Sequence, residues 1–279
     1  MRKGVNINNG GLFDDRYYKC VKEAGLDGCD IDLTSSDPSF MSDENWEGQA
    51  YKIKERLDAN GLDCIQVHLP CHDIFKSSEI IDENVKRSTL NSLKAMKILG
   101  CKWGAYHPRT SFVNGFDSDA SIRDNIREIS IYLEEAEKLG VGIAVENIPI
   151  FPDCPQHTFF SADYDELNFL VESFKSDKVG ICWDFGHANL MAFRQEKAFE
   201  ILGDKIRMVH MANNYKFNDD HNIPTFGYAD WKNIMPALYK CGYSGDFTLE
   251  VHYPYDDAGL TSFFKHGLDS LLMLESYFK

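Results

Sequence analysis

The sequence lacks the features of membrane and exported proteins. Although 43% of the 279 residues are hydrophobic, no apolar run approaches the roughly 20 residues that a transmembrane helix needs. The first ten residues, MRKGVNINNG, are partly basic but contain no apolar segment typical of a secretory signal. We therefore expect a soluble, cytoplasmic chain with no membrane partner.

Paired cysteine motifs are also absent. The eight cysteines include no CxxC, and a chain of 279 residues can bury a core without disulfides. Cys29, Cys64 and Cys182 lie inside apolar runs, where a free thiol packs like a small hydrophobic side chain. This usage favours a reducing compartment.

Positive charge is scarce. Lys and Arg total 29 against 44 Asp and Glu, which leaves a net charge of −15, and no run of basic residues occurs. Binding to a phosphate backbone depends on Lys and Arg that neutralise phosphates. We therefore expect no nucleic-acid partner.

Glycines, in contrast, recur in a regular pattern. Each follows a helix-like segment and precedes a short apolar run: Gly25, Gly61, Gly100, Gly140 and Gly242. This order is typical of a glycine C-cap that leads into a buried strand. The first four recur at a period of roughly 36 to 40 residues, which signals a repeated supersecondary unit.

Eight segments have the composition of strands: KGVNIN, LDGCDIDL, LDCIQVHLP, CKWGAYHP, VGIAVENIP, VGICWDFG, IRMVHMAN and DFTLEVHY. Amphipathic, helix-like segments lie between them, for example 121–139, 163–174 and 228–239. Eight β–α units without a linker predict one domain, 1–279, with the α/β fold of a (β/α)8 TIM barrel. The competing fold, a doubly wound sheet, more usually has fewer strands.

Six consecutive predicted strands carry a metal-binding residue type near their ends: His68, His107, Glu146, Asp184, His210 and Glu250. Each residue alone is most simply a hydrogen-bonded group at the rim. In a barrel, however, the strand ends build one site, and burying several carboxylates together is costly without a cation. Period-2 alternation places Glu146 on the face of Ala144, and Glu250 with His252 on the face of Thr248.

The motifs VHLP, YHP, VENIP, WDFGHAN, VHMANN, DDHNIP and LEVHY occur in this order along the chain. With them the sequence resembles the xylose-isomerase-like TIM barrels, especially the sugar phosphate isomerase/epimerase group, whose superfamily includes endonuclease IV. The resemblance implies one divalent metal, held by Glu146, Asp184, His210 and Glu250. It also implies that the two glutamates form the acid/base pair and that His187 and Lys216 contact the substrate.

Two departures from the family pattern weigh against any one ketose epimerase as the nearest match. Pro152 stands where some of these enzymes carry a further Glu, and PTFG, residues 224–227, replaces the usual PGEG-like turn. Neither departure touches the predicted metal ligands.

The first functional hypothesis is a metal-dependent isomerase or epimerase of a sugar, cyclitol or keto acid, with a metal-stabilised enediolate. An oxygen-rich ligand set favours Mn²⁺ or Mg²⁺. The predicted substrate-binding residues are His68, His107, His187, Lys216 and His252. We expect a small sugar-like substrate, and a homo-oligomer is common among enzymes of this size. A dehydratase would use the same residues and stays open.

The second hypothesis is an endonuclease IV-like phosphodiesterase with three Zn²⁺ ions. Its ligand pattern is traceable in His68, His107, Glu146, Asp184, His187, His210, Asp219, His221 and Glu250. The acidic strand-end loops, such as TSSDPSFMSDENWE, disfavour a phosphate-rich substrate. A third hypothesis, a barrel that binds a ligand without catalysis, has no specific support.

Two further residues are candidates for the site. Arg109 is interpreted either as a substrate contact or as part of an ion pair at the rim, and His157 is a weaker candidate.

Overall fold

The structure is a computed structural model that describes residues 1–8, 10–34, 40–70, 81–112, 115–150, 158–191, 193–253 and 257–278. Pro152 and His157, which were singled out in the sequence, lie outside these residues.

Eight parallel strands in the described residues form a closed barrel in chain order. They are β1 (Lys3–Ile7), β2 (Gly28–Asp32), β3 (Asp63–His68), β4 (Trp103–Tyr106), β5 (Gly142–Glu146), β6 (Val179–Asp184), β7 (Ile206–Met211) and β8 (Phe247–Leu249). Each lies within a predicted segment. Because β1 pairs with β8, the TIM barrel is confirmed and the open doubly wound sheet is wrong.

Helices alternate with the strands. They are α1 (Asp15–Ala24), α2 (Trp46–Asn60), α3 (Glu83–Leu99), α4 (Ser118–Leu139), α5 (Tyr164–Glu172), α6 (Phe185–Leu190), α7 (Gln195–Leu202), α8 (Trp231–Lys240) and α9 (Asp257–Tyr277). Within the part of the chain that the structure describes, no helix has the length and apolar character of a membrane span.

The recurrent glycines end helices, as the sequence predicted. Gly25, Gly61, Gly100 and Gly140 are C-caps in the left-handed conformation, with φ between 60° and 92°. This conformation costs glycine little because it has no Cβ. Gly242 follows the C-cap Cys241 by one residue and also has a positive φ, 90°.

The barrel separates two cores, as period-2 alternation requires. Outward-facing strand residues such as Val145 and Ile181 belong to the large core beneath the helices. Ala105, Ala144, Cys182 and Met208 form a separate small cluster, which fills the barrel interior. Ala144, Cys182 and Met208 each stand two residues before a polar residue at the carboxyl end of the same strand, so they lie beneath the polar groups. The thiols of Cys29, Cys64 and Cys182 are buried and free, so they pack as predicted.

Gly28 lies where the backbones of β2 and β3 approach closely. A Cβ at this position would lie 2.2 Å from the backbone oxygen of Asp63, an atom that cannot rotate away. We expect Gly28→Ala to lower the free energy of unfolding by about 1–3 kcal/mol, the usual range for overpacking. Denaturant unfolding of both proteins measures this change.

Gly48→Ala in α2 is the matched control. The three atoms nearest to its new Cβ all belong to the Asn45 side-chain amide, with Oδ1 2.5 Å away, and that amide is able to rotate. Alanine also favours a helix interior over glycine by up to about 1 kcal/mol, so its unfolding free energy should be unchanged or higher. Equal effects of the two substitutions would contradict the proposed clash at Gly28.

Candidate metal centre and active site

Four acidic and histidine side chains meet at the carboxyl ends of strands β5 to β8. One possible ligand atom from each of Glu146, Asp184, His210 and Glu250 lies within 4.8 Å of all the others. Parallel pairing aligns Asp184 with His210 across β6 and β7. Glu146, Asp184 and His210 are fully buried. The structure therefore brings together all four residues of the predicted ligand set.

Asp184 is held by the local structure that follows β6. Its Oδ1 accepts a hydrogen bond from the backbone N–H of His187 at 2.6 Å, which makes Asp184 the N-cap of α6. The Asn147 side chain bonds both its backbone N–H and its carbonyl oxygen, at 2.7 and 2.9 Å. Residues 185–190 therefore form a helix directly after β6. Its cap leaves Asp184 Oδ2 for the cluster.

The cluster contains buried polar atoms without hydrogen-bond partners among the described residues: Glu146 Oε1 and Oε2, Asp184 Oδ2, His210 Nδ1 and Glu250 Oε2. His210 Nδ1 lies 3.0 Å from Glu250 Oε2 and 3.4 Å from Glu146 Oε1, but not in the alignment of a hydrogen bond. Buried polar groups are normally paired because desolvation is costly. Three carboxylates and an imidazole converging in this way fit a divalent cation.

The charges of the cluster depend on one another. Burial by itself would raise the pKa of Glu146, but positive charge on His210 and His107 outweighs it and holds the pKa well below its ordinary value. Burial likewise opposes ionisation of Glu250, and His210 again brings its pKa down. Burial raises the pKa of Asp184 to about 7. Full ionisation of all three carboxylates therefore needs additional positive charge.

Asp30 is a residue of the site that the sequence analysis missed. It is 2% exposed, and its Oδ2 lies 3.2 Å from His210 Nε2 and accepts a hydrogen bond from Gln66 Nε2 at 2.8 Å. A carboxylate beside the second ring nitrogen fixes the orientation of a ligating imidazole. The signal for Asp30 in the sequence was an acidic residue at an inward-facing position of strand β2.

Two predicted substrate-binding histidines adjoin Glu146. His68 Nε2 and His107 Nε2 are 3.0 Å apart, and they lie 3.6 and 3.3 Å from Glu146 Oε2. The three side chains form a second group with metal-binding geometry.

A third such group consists of His187, Asp219 and His221. Asp219 Oδ2 lies 3.1 Å from Nε2 of both imidazoles. The Nδ1 atoms lie 2.8 and 3.1 Å from the carbonyl oxygens of Asn147 and Glu250, so both rings are held from the far side. Burial would lower the pKa of His221, but its bond to Asp219 raises the pKa to about 9.

Other predicted residues lie farther from the four-residue cluster. Lys216 is exposed and lines a different cavity with Asn189 and Tyr228. His252 is exposed, and its ring centroid lies 4.8 Å from that of His221. The substrate-binding roles of both stay predictions.

Arg109 is buried rather than directed at a substrate. Its Nη1 lies 3.1 Å from Glu128 Oε2, with side-chain exposures of 5% and 0%. Of the two readings left open by the sequence, the structure favours an ion pair, and that pair lies in the interior rather than at the rim.

A family model described as a xylose isomerase-like TIM barrel matches residues 19–271. Among curated proteins, the uncharacterised protein y4fM of Sinorhizobium fredii is 32% identical over 29% of this chain and 26% of its own length. The uncharacterised protein MJ1311 of Methanocaldococcus jannaschii is 25% identical over 67% of this chain and 64% of its own length. The chain thus spans about a quarter of the first relative.

Two further similarities extend over most of the chain. Fructoselysine 3-epimerase of Escherichia coli O157:H7 is 22% identical over 85% of both chains. The crystal structure of a D-tagatose 3-epimerase-like protein superimposes with a TM-score of 0.75 at 20% identity, over 99% of this chain and 97% of the other. The structural similarity supports the fold.

Proposed function

The chain belongs to the xylose isomerase-like TIM barrel family, and on that premise we propose that it is a metal-dependent isomerase or epimerase of a small sugar-like ketose. One observation carries the proposal: Glu146, Asp184, His210 and Glu250 converge with buried, unpartnered donor atoms. The epimerase names of two similar proteins agree with this chemistry.

These four residues would hold the cation, with Mn²⁺ or Mg²⁺ favoured by three carboxylates. A bound divalent cation would polarise the substrate carbonyl and stabilise the negative charge that develops when the adjacent carbon loses its proton. Asp184 and His210 orient the centre through the helix cap and through Asp30, respectively.

Glu146 and Glu250 are the proposed proton carriers. Glu146 is the last residue of β5 and Glu250 follows β8, so they approach the interior from different sides of the barrel. One carboxylate removes the proton from the carbon beside the carbonyl, and the other returns a proton, which it takes up from solvent, to the opposite face. Return to the same carbon inverts its configuration, whereas return to the neighbouring carbon isomerises the sugar. General acid–base catalysis of this kind contributes roughly 10²- to 10⁴-fold.

His187 is a proposed substrate contact beside Glu146. Its Nδ1 lies 3.3 Å from Glu146 Oε1, and its Nε2 lies 3.1 Å from Asp219 Oδ2. Burial opposes a charge on this imidazole, yet Asp184 and Asp219 raise its pKa well above the ordinary value. Both N–H groups of the protonated imidazole already face acceptors, Asn147 O and Asp219 Oδ2, so a substrate oxygen would replace Asp219 as the acceptor of the Nε2 proton.

A second candidate function, a phosphodiesterase with three Zn²⁺ ions, has a specific observation in its favour. The groups His68–His107–Glu146 and His187–Asp219–His221 flank the four-residue cluster, so all nine traced ligands assemble. The net charge of −15 opposes close approach of a polyanionic backbone, and we keep the isomerase or epimerase as the first proposal.

Metal content distinguishes the two functions. Protein purified without chelators or a metal-affinity column is expected to contain about one Mn²⁺, Mg²⁺ or Co²⁺ per chain, because one four-residue cluster forms one complete site. Mass spectrometry of the elements measures the count. Asp219→Asn should leave this number unchanged, since Asp219 lies outside that cluster.

Two or three Zn²⁺ per chain, with one lost in Asp219→Asn, would instead favour the phosphodiesterase. A protein that is free of metal and fails to take up added Mn²⁺ would contradict both functions. Incubation with a panel of ketoses in D₂O, followed by NMR, then tests the reaction: the isomerase or epimerase is expected to introduce deuterium at the carbon beside the carbonyl.

A further inference from the structure

A cavity of about 220 Å³ adjoins the candidate centre. It shares His68, His107, Glu250 and Asp30 with the site already described, and the rest of its lining is Asn6 of β1, Asp32 of β2 and Thr34 just after β2. No other part of the proposed mechanism uses Asp32 or Thr34. The cavity has room for a substituent of the substrate beyond its reacting carbon.

The wall formed by β2 is negatively charged. Asp30 and Asp32 are two residues apart on the same strand, which directs both to the same face. Among the described residues that line the cavity, none is Lys or Arg. A cation at the four-residue cluster would offset charges there, and neither Asp30 nor Asp32 belongs to that cluster. Asp30 faces His210 of the cluster, whereas Asp32 has no ion pair within the described part of the chain.

Asp30 presents an oxygen that requires a donor. Its Oδ2 is occupied by Gln66 and faces His210, whereas Oδ1 is buried and has no hydrogen-bond partner in the described part of the chain. Asp32 is positioned by Thr34, whose backbone N–H and hydroxyl both donate to Asp32 Oδ1. These bonds hold the Asp32 side chain in place and leave its other oxygen for a ligand.

We propose that this cavity receives a protonated amine, so that the preferred substrate is an amino-substituted ketose rather than a sugar phosphate. An ammonium group supplies three donors and a positive charge, which matches two acceptor carboxylates. A hydroxyl supplies one donor and no charge, so a neutral ketose binds more weakly. A phosphate supplies only acceptors and is repelled by both carboxylates. The inference rests on the proposed function, because that function is what identifies the substrate as a ketose.

Binding is tested by calorimetry on the metal-loaded protein at pH 7. The probes are D-fructose, its 1-amino-1-deoxy and 6-amino-6-deoxy derivatives, and its 1- and 6-phosphates. Both ends of the sugar are tested because either one could carry the substituent that enters the cavity. One amine is expected to bind roughly tenfold or more tightly than D-fructose, by analogy with hydrogen bonds to charged groups. Both phosphates are expected to bind more weakly than D-fructose.

The variant Asp32→Asn tests whether the β2 wall of the cavity causes the preference for an amine. It keeps the shape of the side chain and removes its charge, so affinity for the preferred amine should fall roughly tenfold to 100-fold, while affinity for D-fructose should stay within about threefold. Asp63→Asn is the control, because Asp63 begins β3 at the other end of the barrel and is 59% exposed. It should change neither affinity.

A phosphate that binds more tightly than both amines, or an Asp32→Asn variant that weakens amine and D-fructose equally, would overturn the inference. The result is separable from the proposed function. Amine binding that depends on Asp32, without deuterium exchange of any ketose, would support the cavity assignment and contradict the isomerase or epimerase. Deuterium exchange without an amine preference would support the isomerase or epimerase and contradict the cavity assignment.

Discussion

Glu146→Gln is expected to lower turnover by roughly 10³-fold or more, because it removes a proton carrier whose contribution is typically about 10²- to 10⁴-fold and weakens the metal cluster as well. The carboxylate is fully buried among His210, His187 and His107, and glutamine keeps its shape. The fold should therefore survive. Steady-state kinetics on the best ketose of the panel measures the loss, and circular dichroism checks the fold.

Deuterium exchange sharpens this test. For a given epimer one glutamate removes the proton and the other returns it, so one of the variants Glu146→Gln and Glu250→Gln should still exchange substrate protons without forming product. The opposite epimer should reverse the two roles. Metal content measured on the same preparations distinguishes a lost ligand from a lost base.

Glu200→Gln is the matched control, since Glu200 is 63% exposed on α7 and forms an ion pair with the surface residue Lys197. It should retain full turnover. Turnover of Glu146→Gln within about tenfold of the unmodified protein would contradict the assigned acid–base role.

Arg109→Met is expected to lower the free energy of unfolding by about 3–5 kcal/mol, the usual consequence of leaving one member of a buried ion pair uncompensated. Glu128 is fully buried, and it accepts a hydrogen bond from Tyr132 at 2.7 Å in addition to its contact with Arg109. The pair connects α4 to the segment after β4 that carries His107. Denaturant unfolding, followed by circular dichroism, measures the change.

A surface pair provides the comparison. Glu200→Gln breaks the exposed contact with Lys197 and should change stability by less than about 0.5 kcal/mol. The double variant Arg109→Met/Glu128→Leu removes both buried charges and should recover part of the loss. A change below about 1 kcal/mol for Arg109→Met would contradict the structural role.

The sequence by itself determined the architecture and the main members of the candidate site. Gly25, Gly61, Gly100 and Gly140 were recognisable as helix ends because the left-handed conformation is a local requirement of the backbone. The inward direction of Glu146 followed from period-2 alternation within β5. Such features depend on neighbours a few residues away, and they can be read along the chain.

Only the tertiary structure decided which of these groups touch one another. The helix at 185–190 depends on an N-cap whose backbone is held by Asn147, 37 residues earlier. Asp30 becomes a neighbour of His210 because the barrel closes across strands that are distant in sequence. Packing of α4 against the segment after β4 pairs Arg109 with Glu128 instead of the site. Barrel closure also assembles two further groups beside the four-residue cluster. Contacts of this kind depend on side-chain rotamers and on packing across the whole barrel, which no local pattern encodes.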